Sequence, residues 1–357
     1  MIRSLQGLRA IAMLAIFFFH AGFIPNGIFP VTFFFILSGF VLYYNYNDRV
    51  KDINIKESVI WGINKIKNMY PIHIITFIMS IFIRFSWICN FSIGELIVMG
   101  GANLLLLQTL TPKYSFTFNN LSWYLSTTFC CYLVAPFIIK KLRKIKVIKP
   151  IYLLIIVWVF QILLALIVPN LIADYGYFFY ISPYFRILDF ILGMVLAKIY
   201  MERNKDIIKN YTLIEIEIIV MFLCTYLLSF VLPTEFTRGI IYAPVFLSGI
   251  YTISQEKGVI SRFLCNKVFQ KIAKISFEFY MVHELILILF RNLFSSLQYN
   301  YLIKITIIAI PSFIISYLLA IILNRFMTNR KLYIDNRGRR YPLIKQDLIE
   351  NDNVKID

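Results

Sequence analysis

Eleven apolar runs, most of them near the length of a bilayer crossing, decide what this chain can become. They fall at 5–24, 29–47, 70–90, 92–110, 121–139, 150–169, 184–200, 213–232, 240–254, 276–294 and 301–324. A hydrocarbon core about 30 Å thick takes about 20 helical residues. Backbone in lipid must satisfy its own hydrogen bonds, so such runs are helices. The 357 residues are 59% hydrophobic and 15% charged, with mean hydropathy +0.73. No soluble domain of this size has that much apolar surface. The expected fold is all-α: an integral membrane protein of many spans.

The loops set the count. Net charge is +17, but the basic residues lie in short loops between apolar runs, which is a mark of membrane topology and not of nucleic-acid binding. With the N-terminus cytoplasmic and all eleven runs spanning, the basic loop "KKLRKIKVIK" (140–149) falls outside. Removing 92–110, which holds Glu95, a Gly-Gly pair and Asn103, corrects this. Ten spans with both termini cytoplasmic then put 29 of the 36 Lys and Arg residues inside and two, Lys113 and Arg238, outside. The first run carries Arg9 and His20 and lacks a small-x-small cleavage site, so it reads as a retained span rather than a signal peptide. Residues 1–325 form the transmembrane domain and 326–357 a polar cytoplasmic tail. Segment 55–69, with lysines among apolar residues, is expected on the inner membrane surface. The five cysteines form no CxxC pair and no metal-ligand spacing, so no metal site is expected.

Polar groups inside spans are expensive and mark function. Arg9 and His20 are eleven residues apart, three helical turns plus about 20°, so they share one face about 16 Å apart along the axis. Arg9 lies near the cytoplasmic end and His20 in the outer half. "SFEFYMVHELI" (276–286) adds Glu278, His283 and Glu284, a histidine beside a glutamate suited to a proton relay or a ligand contact. Arg186 and Asp189 are at i, i+3, the spacing of an intrahelical ion pair. Trp123 and Tyr124 open a span, as an aromatic belt does, while Ser122 and Ser126 share a face that could meet a cavity. His73, near the inner end of its span, is expected to be solvated.

These motifs together resemble the acyltransferase-3 family of integral membrane acyltransferases, which includes O-antigen, capsule and peptidoglycan O-acetyltransferases. "LQGLRAIAMLAIFFFH" is similar to its arginine–ten residues–histidine opening, and "PVTFFFILSGFVL" (30–42) to its second span. "MYPIHII", "LSWYLSTTFCCYLVAP", "SPYFRILDFILGMVLA" and "IAKISFEFYMVHELI" resemble later spans in order, out to about residue 325. The resemblance implies a ten-helix core, no bound cofactor, acetyl-CoA or another acyl-CoA as cytosolic donor, and a hydroxyl of a glycan or lipid-linked sugar as acceptor. It implies a bacterial cytoplasmic membrane, with lipids as the remaining partner.

By the same resemblance His20 is the catalytic residue and Arg9 its partner. Donor and substrate contacts fall to Ser38, Trp123, Arg186, Asp189 and His283. Where the family has an arginine pair ahead of its third span, this chain has Lys65 and Asn68, which leaves that role to Lys65 and Lys67. Where the family often has paired glutamates, this chain has Thr128 and Phe129. Transfer is expected to be completed within the one domain. The rival expectation is a transporter or flippase for a lipid-linked glycan, in which the intramembrane arginine and histidine bind substrate or protons.

Overall fold

The computed structural model describes residues 2–50, 53–145, 148–202, 210–296, 298–330, 332–334 and 340–342. The chain folds into helices α1 (Arg3–Ala21), α2 (Phe29–Tyr46), α3 (Ile55–Ile66), α4 (Tyr70–Ile83), α5 (Ile93–Leu104), α6 (Ser122–Lys144), α7 (Pro150–Ile167), α8 (Pro183–Glu202), α9 (Tyr211–Leu228), α10 (Ala243–Ile253), α11 (Ser276–Leu293) and α12 (Tyr301–Arg330), with shorter helical turns between them. Helix α12 runs through the first five residues assigned to the polar tail. Beyond it, Leu332–Ile334 pairs antiparallel with Arg340–Pro342, and residues 343–357 lie outside the described ones.

Among the described residues, seven helices are long and apolar enough to cross a membrane, and α3 with α4 makes an eighth if that bent pair is one span. Two segments of the ten-span expectation fall outside this set for visible reasons. The helical stretch Ile240–Ile253 is short, and α11 carries Glu278, Glu284 and Arg291 within its 18 residues.

Run 92–110 is not a span-length helix. Its α5 has 12 residues, opened by a capping box in which Ser92 Oγ accepts from the Glu95 amide while Glu95 accepts from the Ser92 amide. These hydrogen bonds hold the exposed Glu95 carboxyl below its usual range. The charge that weakened this run as a span is therefore a helix-start residue. An equivalent box, Asn54 with Glu57, opens α3. The axis turns by 67° between α3 and α4, and α3 leaves Ile55, Ile60 and Ile63 exposed beside Lys56, the pattern of a helix lying along a membrane surface.

The bundle is centred on α2 and α8, which touch backbone to backbone. A β-carbon on Gly39 would lie 1.9 Å from the carbonyl oxygen of Phe190, and one on Gly193 would lie 1.9 Å from that of Ile36. Small residues permit this approach between helices in lipid. Both glycines belong to family-like motifs, so those motifs mark a helix crossing. No flexible side chain can give way there. Gly39→Ala is expected to destabilise the protein by about 3 kcal/mol or more, seen as a lowered melting temperature and aggregation on size-exclusion chromatography in detergent. Normal melting would show that the two helices can part without loss.

Helix α1 is fixed along its axis at its start. The Ser4 amide donates to Glu256 at 2.9 Å, Ser4 Oγ to the Ile253 carbonyl at 2.8 Å, and Arg3 to the Cys265 carbonyl at 3.0 Å. The end of α12 lies at this same end of the bundle, where Asn324 donates to the Lys274 carbonyl and to Glu278. The opposite end is closed where Tyr301 donates to the Gly22 carbonyl.

Candidate active site

The polar face of α1 meets α11. Arg9 donates to Ser276 Oγ at 3.3 Å, and eleven residues on, a His20 ring nitrogen lies 2.8 Å from one of His283. The partners follow the same order along both helices, so α1 and α11 run parallel. Arg291 reaches the His20 carbonyl from the last turn of α11.

The hydrogen bonds fix the tautomers. His283 is fully buried, and its Nδ1 lies 3.2 Å from the Phe279 carbonyl, which can only accept, so Nδ1 carries the proton. Neutral His283 then presents the Nε2 lone pair to His20 Nδ1, which must donate. His20 is left with a bare Nε2, the basic atom, and its side chain is half-buried. Stacking holds the pair: the His283 ring lies 5.1 Å from that of His20 and 5.6 Å from that of Phe279, both near parallel, with Phe17 edge-on.

Below the histidines lies a cavity of about 310 Å³, room for about ten waters at ~30 Å³ each. Its wall carries Arg9, Ser38, Lys65, Tyr124, Thr128 and Tyr280 among apolar side chains that include Met13, Ile16 and Phe34. Lys65 stands in it with Nζ 3.2 Å from the Tyr46 ring centroid and 4.7 Å from that of Trp61. Ser38 Oγ and Tyr124 Oη are 3.4 Å apart. Thr128 Oγ1 is buried beside the Tyr124 phenol. Ile16 is in the wall and His20 is one turn further along α1, about 6 Å. Tyr280 is also in the wall and its ring lies 5.9 Å from that of His283.

Of the residues singled out by sequence, Arg9, Ser38, Lys65 and Tyr124 thus share the cavity, with His20 and His283 beyond the end that Ile16 and Tyr280 mark. The others lie elsewhere. Lys67 caps the end of α3 and is exposed. Trp123 is buried against the Tyr180 ring at 5.0 Å. Arg186 and Asp189 form a fully buried ion pair at 2.6 Å that does not line the cavity. Arg186 also donates to the Tyr180 and Arg238 carbonyls and to Thr32 Oγ1, and Gln161 donates to Asp189.

Two expectations are corrected. Ser122 and Ser126 do not face a cavity; they bond Gln108, Thr109 and the Leu106 carbonyl in the turn after α5. His73 is fully buried, not solvated, and donates from Nε2 to the Asn103 carbonyl.

Sequence reasoning did not single out Thr128, Tyr132 or Tyr280 as cavity residues. The first two had a signal: Tyr124, Thr128 and Tyr132 recur every four residues in an apolar helix, a polar stripe on one face. Among the described residues no group of three or more His, Cys, Asp or Glu is placed to hold a metal ion.

Residues 2–321 match the family profile described as an acyltransferase domain, Acyl_transf_3. An acyltransferase of Streptomyces mycarofaciens, MdmB, is 26% identical over 333 residues, covering 80% of this chain and 78% of that protein. No solved structure matches the chain.

Proposed function

The chain belongs to this family of acyltransferases, and from that premise we propose that it moves an acyl group, acetyl in the simplest case, from cytosolic acyl-CoA to a hydroxyl of a cell-surface glycan or lipid-linked sugar in a bacterial cytoplasmic membrane. The observation that carries this reading is the chain from the Phe279 carbonyl through His283 to His20, which leaves His20 Nε2 as a base in the outer half of the bundle.

The cavity suits the donor. Lys65 and Arg9 are cations for its phosphates and polar arm, and Ser38, Tyr124 and Thr128 offer hydroxyls to the amides of that arm. An arm running the length of the cavity brings the thioester toward His20, one turn past Ile16. The acceptor oxygen then attacks the thioester carbonyl carbon as His20 Nε2 takes its proton. The new C–O bond forms and the C–S bond breaks. The imidazolium, its Nδ1–H held by His283, returns the proton to the departing thiolate, which leaves as the thiol. Without His20 the acceptor hydroxyl, whose pKa is far above neutrality, is a poor nucleophile.

The test is purified protein in lipid nanodiscs, given labelled acetyl-CoA and the glycan fraction of its own cells. Label is expected in a mild-base-labile ester on the glycan, with release of free thiol. Glycan that stays unlabelled in the presence of intact enzyme and donor would overturn the reading. Lys65→Ala is expected to raise KM for acyl-CoA about tenfold, the loss of one charged hydrogen bond, with a smaller change in kcat.

A further inference from the structure

Beyond the cavity and the histidine pair, a second polar cluster occupies the outer half of the bundle. Glu284 follows His283 on α11. Asn120 Nδ2, in the turn before α6, donates to Glu284 Oε1 at 3.3 Å. Asn120 is held in turn by Arg84, at the end of α4, which donates to Asn120 Oδ1 and to the Phe118 carbonyl and lies over the Trp87 ring. The other carboxylate oxygen, Glu284 Oε2, is buried and has no hydrogen-bond partner. Unpaired buried polar atoms are rare and costly, and each calls for an explanation. Glu284 stands one helical turn after Tyr280, which lines the cavity, and next to His283, whose ring meets His20 on α1. The cavity wall reaches none of Glu284, Asn120 and Arg84.

The chemistry of this cluster is that of a polyol site. A carboxylate oxygen with a free lone pair accepts a hydroxyl proton strongly. The amide and guanidinium behind it fix its direction, and Tyr280 offers a ring face and a further hydroxyl. A lone alcohol has only the reacting hydroxyl to give, and that one must point at His20 Nε2. A second hydroxyl on the same acceptor is what Glu284 Oε2 can hold.

We propose that Glu284, set by Asn120 and Arg84, binds a second hydroxyl of the acceptor and so selects a vicinal polyol, the chemistry of a sugar ring, over a simple alcohol. This rests on the acyl-transfer reading above. Glu284 acts here on acceptor affinity and orientation, while His20 acts on the transferred proton.

The experiment uses full-length protein in nanodiscs, labelled acetyl-CoA as donor, and two probe acceptors, methyl α-glucopyranoside and cyclohexanol. Wild-type protein is expected to favour the glucoside by tenfold or more in kcat/KM. Glu284→Ala is expected to bring that ratio toward one, through a glucoside KM that rises more than kcat falls. Glu284→Gln, which keeps the shape and one acceptor oxygen, is expected to fall between the two and serves where the alanine variant does not fold. A glucoside-to-cyclohexanol ratio that stays at the wild-type value in both variants overturns the proposal. So does wild-type protein that turns over the donor but labels both probes equally. Wild-type protein that does not turn over acetyl-CoA at all overturns the acyl-transfer reading itself, and the proposal with it.

Discussion

Replacing His20 by alanine is expected to lower acyl transfer by about 10³-fold, the usual range for removal of a positioned general base, in protein that still folds. His20 is only half-buried, and the lost ring leaves the α1 clamp at Ser4 and Arg3 untouched. Donor binding is expected to change little, because the cavity that suits the donor ends a turn below. The measurements are labelled-ester formation and donor affinity on the same preparation. Transfer at the wild-type rate would remove His20 from the mechanism. His283 supplies the sharper control. It touches no reacting atom in this scheme and acts by accepting the His20 Nδ1–H. His283→Gln, whose side-chain carbonyl accepts the same hydrogen, is expected to keep more activity than His283→Leu at equal thermal stability. Equal losses in the two would make His283 a packing residue only.

Arg186→Met is expected to give the largest loss of stability. Five hydrogen bonds converge on the Arg186–Asp189 pair, from Arg186 to Thr32, Tyr180, Arg238 and Asp189 and from Gln161 to Asp189. They tie α8 to α2, to α7 and to the turns at Tyr180 and Arg238. Removing the guanidinium leaves a buried carboxylate with one partner, Gln161, and strands the Tyr180 carbonyl, while the Arg238 carbonyl keeps only Thr32 Oγ1. Breaking such a pair costs about 3–5 kcal/mol, a fall in melting temperature of about 4–7 °C for a chain of this length. The double variant Arg186→Met with Asp189→Leu is expected to recover part of the loss, because no buried charge then remains unpaired. Melting of the single variant within about 1 °C of wild type, roughly 0.75 kcal/mol for a chain of this length, would show the network to be dispensable.

The fold was largely legible because lipid leaves the backbone few choices. Helix positions follow the apolar runs, and Glu95 together with the Gly-Gly pair marked a run whose helix is short, while nothing comparable marked the short Ile240–Ile253. Helix geometry also put Arg9 and His20 on one face, and spacing paired Arg186 with Asp189. What the spacing did not carry was what that face meets. Periodicity describes one helix at a time, while His20 meets its partner 263 residues away. Tyr124 shows a different failure. It was read with Trp123 as an aromatic belt, a rule about span ends. Yet it stands in the cavity wall with Thr128 and Tyr132, and the period of four that joins them crosses the middle of the helix. Thr128 sits where the family often has a glutamate, and its place in that wall beside Tyr124 is a feature only the packing exposes.

The 263 residues between His20 and His283 also set a schedule. Synthesis at about 5–20 residues per second separates the two histidines by roughly 13–50 s. Through that interval α1 is already made, with its polar face, and α11 is not. Because the two run parallel, α11 must arrive in the same direction as the helix it joins, after every helix between them has been made. The site is therefore among the last things the growing chain can build, and a chain arrested anywhere before α11 holds the base without the group that orients it.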